Sequence, residues 1–380
     1  MIYFDYSATT PIDSEALKVY QKISSNVFGN TSSLHDIGTK AEHVLQICRK
    51  ELANLLSVSA EGVYFTSGGT ESNLLSIISL AKSQSQYGKH IVTSIGEHDS
   101  IHSALSYLEN DGFEISEIPF TQNGLIDLHA LKKSIRQDTI LISIQHVNSE
   151  IGTIQPIQEI AHLIKQQNIL FHCDCVQSFG KLDISRITHY VDSVSVSSHK
   201  IYGPKGVGAT YIDPSIHVKP LFPRLTHEHG FRGGTVNLPG IAAFITAAKK
   251  AQEVKHLKHY FTMRNLFLKE LSKHKHFFTI YQSNDHKLQL PHIIGLGLNG
   301  IEGQYVMLEC NRYGFAISTG SACHVGQHKP SNTMNALGIP SSKSNEFIRV
   351  SLGKYTKKSD VKELAALLNE IVKNVHVMLI

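Results

Sequence analysis

Most features that would direct the chain to a membrane, a nucleic acid or a secretory route are missing. No stretch approaches the roughly 18 apolar residues of a membrane span. The opening residues, MIYFDYSATTP, have no basic start followed by an apolar run, so no secretory leader is expected. No Lys/Arg-dense block stands out and the net charge is only +4, which disfavours nucleic acid as a partner. The five cysteines, Cys48, Cys173, Cys175, Cys310 and Cys323, are odd in number and mostly far apart. They build no disulfide framework and fit a reducing cytoplasm. Cys173-Asp174-Cys175 lacks a second Cys or His pair at zinc spacing, so no metal centre is expected. Both cysteines are read as small packing residues. The 23 histidines are mostly scattered, as in His256, His259, His274 and His276, a pattern typical of surface residues. Repeats and low-complexity linkers are absent.

What is present is an ordinary globular composition, 41% hydrophobic and 18% charged, with a length suggesting two domains. Apolar, β-rich runs occur at 62–66, 90–94, 113–118, 139–147, 169–174, 192–197 and 207–212. Helical periods separate many of them. Over 38–56 the apolar positions Ala41, Val44, Leu45, Cys48, Leu52 and Leu55 recur at three and four, and 157–167 follows Pro156 with a similar period. This alternation predicts a mostly parallel sheet covered by helices. Beyond 239 the texture changes. One long helical pattern fills 240–273, then short strands (277–282, 292–298, 314–318, 346–352) alternate with helices near 302–312, 331–337 and 359–376, as in a smaller α+β domain.

Three segments carry chemistry. In FTSGGTESN (65–73) a strand runs into Gly68-Gly69 and a helix opens. Open N–H groups and close approach at the glycines suit a phosphate; a glycine turn with a Thr70 N-cap reads the same residues without a ligand. The segment is neither a Walker loop nor GxGxxG. In FHCDCVQSFGK (171–181), Asp174 ends an apolar strand, where α/β proteins place ligands, or it caps the next turn. In SVSSHKIYGPKG (195–206), Lys200 follows another strand end. It is either a solvated lysine or a desolvated nucleophile beside hydroxyls and His199. A phosphate cradle, a carboxylate and an amine are together what pyridoxal phosphate requires. Separately, GSACHVG (320–326) places Cys323 among small residues, as in a mobile loop with a reactive thiol.

These motifs, taken in order with FDYSATTP (4–11), FGNTSSLH (28–35), GEHDS (96–100), QHVNSEIG (145–152), GTVN (234–237), STGSAC (318–323) and IRVSLG (348–353), cover nearly the whole chain. They resemble the cysteine desulfurases of the NifS/IscS group, within the class V aminotransferase-like enzymes that use pyridoxal 5'-phosphate. The resemblance implies a PLP-dependent transferase of fold type I. A mostly parallel seven-stranded sheet domain would span 15–250, and a smaller α+β domain 1–14 with 251–380, carrying a mobile cysteine loop at 318–330. It implies that Lys200 bonds to the cofactor aldehyde and that Gly69, Thr70, Ser197 and His199 hold the phosphate, with Thr235 reaching it from the other subunit of a homodimer. Asp174 would pair with the pyridine nitrogen and Gln177 with the ring hydroxyl. His98 would stack on the ring, and Asn148 and Arg349 would fix the substrate carboxylate. L-cysteine would become L-alanine while Cys323 takes the sulfur as a persulfide. Cys323 could also hold a nascent Fe–S cluster transiently. An Fe–S scaffold, a quinolinate synthase or a thiolation enzyme would accept the sulfur. A selenocysteine lyase or another class V enzyme is the alternative. The chain departs from the family pattern at FPRLTHE (222–228), His229, Leu74 and Ser198.

Overall fold

Each of the seven apolar runs becomes a strand of one sheet. These are β1 (Val63–Thr66), β2 (His90–Ser94), β3 (Glu114–Ile118), β4 (Thr139–Gln145), β5 (Leu170–Asp174), β6 (Ser193–Ser197) and β7 (Gly208–Ile212). The computed structural model describes residues 1–252, 255–320 and 331–378. In space the strands lie in the order β1-β7-β6-β5-β4-β2-β3. Every pairing is parallel except the two made by β7. Since β7 runs against both neighbours, β1 is parallel to β6, and six strands end at the same rim. That rim is where open α/β sheets bind ligands.

Alternation along the strands sends side chains to opposite faces. Val92, Ile142 and Phe171 join a core shared with α2 (Asp36–Leu56). Ile91 and Leu141 join another with α3 (Gly69–Gln84) and α4 (Asp99–Asn110). Both faces are thus covered, which explains why the strands read as continuous apolar runs.

The pattern over 240–273 is not one helix. It forms α5 (Leu238–Ala251) and α6 (Lys255–Leu271). Phe244 and Ala248 of α5 belong to the core on the α2 face, whereas Met263 and Phe267 of α6 belong to a separate core. No Gly or Pro marks the break, and periodicity alone cannot show that a helical pattern has changed partners. The separate core also holds Phe4 and an antiparallel sheet in the order β10-β11-β9-β8, made of β8 (Phe278–Tyr281), β9 (Ile293–Leu298), β10 (Ser318–Thr319) and β11 (Phe347–Ser351). The C-terminal helix α7 (Lys358–Met378) buries Leu364, Leu368 and Val372 in it. No helix among the described residues is long and apolar enough to cross a membrane.

Candidate active site

The strand ends at the rim line a cavity of about 520 Å³. Gly69, Thr70, His98, Asp174, Gln177, Ser197, His199, Lys200 and Arg349, all singled out from sequence, line it together.

Asp174 is the last residue of β5 and is 7% exposed. One carboxylate oxygen accepts from the Val176 backbone N–H at 2.8 Å, so the residue does cap its turn. The other accepts from Asn73 Nδ2 at 2.8 Å. Asn73, buried in α3, also donates to Ser100 Oγ at 3.0 Å, and its Oδ1 lies 3.2 Å from His172 Nε2. Burial lowers the proton affinity of His172 to about 3, so the ring is neutral. With Nδ1 accepting from Ser193 Oγ (3.0 Å), its Nε2–H can donate to Asn73. The carboxylate is therefore fixed by a buried, charge-neutral network.

His98 is the N-cap of α4: its Nδ1 accepts from the Ser100 backbone N–H at 3.1 Å. That contact assigns the ring proton to Nε2. The surrounding protein and the Lys200 ammonium lower its proton affinity, while Asp174 raises it. The ring also opens onto the cavity, so water there moderates the effect of burial. Lys200 follows β6, and its Nζ donates to the carbonyls of Ser7 and Ala8 at 2.7 and 2.8 Å. Gln177 Nε2 donates to the same Ser7 carbonyl at 3.0 Å. His199 Nδ1 lies 3.1 Å from Thr9 Oγ1, and burial, then Lys200, holds its ring down to about 4.

Two buried polar atoms of this wall, Gln177 Oε1 and Ser197 Oγ, have no partner among the described residues, a costly state in a folded protein. Helix α3 starts beside them. Its N-cap is Gly68, without a side-chain bond, so the ligand-free alternative of a Thr70 N-cap is not what forms. Thr70 stands one residue into the helix and is exposed. A Cβ on Gly69 would come within 2.7 Å of Val176 Cγ2 and 3.5 Å of Ser197 Cβ, so the backbone approaches this wall as only glycine allows.

The opposite wall draws on the second core. Arg349, central in β11, donates to Asp5 Oδ1 at 2.9 Å and to the Ser149 carbonyl at 3.1 Å, and its buried Nε has no partner among the described residues. Glu150 accepts from the Ser331 hydroxyl. A Cβ on Gly320 would lie 3.1 Å from a Glu150 oxygen and 2.9 Å from Ser331 Cβ. The residues flanking 321–330 thus meet at Glu150, whose carboxyl is pushed up to about 7 by burial. Cys323 itself lies outside the described residues.

Two sequence candidates stand apart from the cavity. Asn148 is buried behind the wall. Its Oδ1 accepts from the N–H groups of Glu150 and Ile151, and its Nδ2 donates to the Gly96 carbonyl and Thr333 Oγ1. Thr235 is exposed and does not line this cavity. The divergent 222–228 segment does not line it either. Its Glu228 is buried, bonds Arg49 at 2.8 and 2.9 Å and accepts from the Phe65 N–H at 2.7 Å, an anchor to β1. Sequence reasoning missed Ser7, Asn73, Glu97 and Ser100. Glu97, 2% exposed, accepts from Ser94 Oγ and from the Gln145 N–H at 2.8 Å, and burial raises its carboxyl to about 8.

Comparison with known proteins places this geometry. A NifS protein of Bacillus subtilis (strain 168) is 48% identical over 96% of this chain and 93% of its own. A cysteine desulfurase IscS of Dictyoglomus turgidum is 36% identical over 99% and 95%. The solved structure of a NifS-like protein superimposes with a TM-score of 0.89 at 30% identity, covering 98% of this chain and 99% of that one. The model of the aminotransferase class-V family matches residues 2–364, and the chain belongs to that family.

Proposed function

We propose that the chain is a cysteine desulfurase that binds pyridoxal 5'-phosphate at Lys200 and passes the sulfur of L-cysteine to Cys323. What carries this reading is the convergence on one sheet rim of a lysine, a buried carboxylate and buried polar atoms without partners among the described residues. The residues fit the cofactor. Its phosphate would relieve Ser197 Oγ and sit at the α3 N-terminus against Gly69, Thr70 and His199. Its ring hydroxyl would relieve Gln177 Oε1. Asp174, pinned by Asn73 and the Val176 N–H, would keep the ring nitrogen protonated. When bound, pyridoxal phosphate supplies an electron sink that makes the substrate Cα proton removable.

Lys200 takes that proton and returns it during turnover, and His98, with Nε2–H toward the cavity, covers the ring face and relays protons. Arg349 holds the substrate carboxylate through its planar fork, and Asn148 supports the wall beside it. The Cys323 thiolate attacks the substrate sulfur. An S–S bond forms, the substrate Cβ–S bond breaks, its electron pair stays on carbon, and that carbon takes a proton to become L-alanine. Cys323 is left as a persulfide. In this reading residues 15–250 carry the cofactor site, and residues 1–14 with 251–380 carry the cysteine loop. Thr235 reaches the site of a second copy in a homodimer. The enzyme works in the cytoplasm and delivers sulfur to an Fe–S scaffold, a quinolinate synthase or a thiolation enzyme.

The test is alanine release from L-cysteine in the presence of a reductant. Wild type should take up the cofactor, absorb visible light and release alanine, and Lys200→Ala should release none. A wild-type protein that takes up no cofactor, or undiminished turnover by Lys200→Ala, would refute the proposal.

A further inference from the structure

One amide links two groups of the site that the chain supplies from different strand ends. The Asn73 Nδ2 carries two hydrogens. One goes to Asp174 Oδ2 at 2.8 Å and the other to Ser100 Oγ at 3.0 Å. Ser100 Oγ lies in turn 2.9 Å from His98 Nδ1. Asn73 and Ser100 are 1% and 3% exposed, and both line the cavity with Asp174 and His98.

Donor and acceptor roles leave one consistent arrangement along this path. The Asp174 oxygen accepts, so Asn73 must turn its NH2 group there and its Oδ1 to His172 Nε2; the flipped amide would set oxygen against oxygen. His172, fully buried and bonded at both ring nitrogens, pins the amide from behind. Ser100 Oγ accepts from Asn73, which turns its own hydrogen to His98 Nδ1. The same Nδ1 accepts from the Ser100 N–H, so a proton placed on it would meet two donors. The charges acting on the ring pull in both directions. Lys200 and His102 disfavour a second proton, and Asp174 and Asp99 favour one. The path through Asn73 opposes that proton without adding a charge.

We infer that Asn73 is a positioning residue for Asp174 and His98 together: its amide, held by His172, fixes the carboxylate and, through the Ser100 hydroxyl, keeps His98 Nδ1 an acceptor with the ring proton on Nε2. The role rests on the proposed reaction, in which Asp174 meets the ring nitrogen of the cofactor and His98 covers the ring. An imidazole held this way exchanges protons at Nε2 alone.

The path is read without turnover. In the full-length, cofactor-free protein, deuterium exchange at the imidazole C2 position, followed across a pH series by peptide mass spectrometry, gives the protonation midpoint of His98, with fragment ions separating it from His102. Asn73→Ala releases the Ser100 hydroxyl, which can then turn and accept from a proton on Nδ1. The His98 midpoint should rise by about half a unit or more, the worth of one hydrogen bond. Ser100→Ala removes the hydroxyl donor and should raise it similarly while leaving the bond from Asn73 to Asp174. With pyridoxal phosphate added, the two variants should part: Asn73→Ala should lose the cofactor faster on dialysis, and Ser100→Ala should hold it like wild type. An unchanged His98 midpoint in a folded Asn73→Ala protein, or equal retention in the two variants where wild type holds the cofactor, would overturn the inference. If Asn73→Ala fails to fold, Ser100→Ala decides, and no rise at His98 would overturn the inference. A wild type that takes up no cofactor and forms no alanine, with the midpoints moving as expected, would count against the proposed reaction alone.

Discussion

The two walls of the cavity are built differently. The sheet wall is assembled from consecutive strand ends: β5 delivers Asp174, β6 delivers Ser197 and Lys200, and β1 leads into Gly69. Its carboxylate is locked by a chain of hydrogen bonds through Asn73 to His172 and Ser100, while Ser197 Oγ and Gln177 Oε1 are buried without a hydrogen-bond partner among the described residues. The opposite wall brings Asp5, Glu150 and Arg349 together from three distant places, and its ion pair joins residues 344 apart in sequence. In the proposed function the sheet wall holds the cofactor, and the other wall, which flanks residues 321–330, holds the substrate carboxylate.

Breaking the sheet wall should therefore cost the most. Asp174→Asn keeps the size but removes the charge and sets an amide donor against Asn73 Nδ2. Alanine formation should fall by on the order of 10²-fold or more, with weakened cofactor retention on dialysis. A near-wild-type rate would remove Asp174 from the chemistry. On the opposite wall, Arg349→Lys keeps the charge and loses the fork. The expected loss is about 10–100-fold in kcat/KM, mostly through KM, and a fall confined to kcat would assign Arg349 to the reacting atoms instead. The smallest effect is expected at Glu97, between the walls. Its carboxyl binds a proton more tightly in the fold, at about 8, than an ordinary glutamate. Its stabilising contribution is thus full at low pH and is lost as pH rises through that value. Glu97→Gln, which mimics the protonated form, should flatten the fall in stability between about pH 6 and about pH 9 by ~2 kcal/mol, measured by denaturant titration. A parallel pH profile in the variant would show that Glu97 does not titrate there.

The walls also differ in how much of them the sequence reveals. The central strands of the sheet are legible because they are buried on both faces, as in Thr139–Gln145, whereas the edge strand Glu114–Ile118 shows only as an alternation of apolar and polar residues. Asp174 and Lys200 are legible because a polar residue that ends an apolar run must lie at the rim. Asn73, Ser7 and Glu97 carry no such signal. Each is a polar residue with a partner 101, 170 or 48 positions away, and no local period encodes that. Asn148 illustrates the reverse: its motif stands out in sequence, yet the fold uses its amide to tie the 148–151 turn to Gly96 and Thr333. The break between α5 and α6 escapes notice because both halves keep a helical period while they pack into different cores.

The central claim is that sulfur leaves cysteine by way of Cys323. The direct measurement is intact-protein and peptide mass spectrometry after incubation with L-cysteine and no reductant, with alanine counted in the same sample. One extra sulfur on the Cys323 peptide, matched by one alanine per subunit and absent in Cys323→Ala, is the predicted result. Alanine formed at the full rate by Cys323→Ala, with no added sulfur on the wild-type peptide, would contradict it and point to a class V lyase that needs no enzyme thiol.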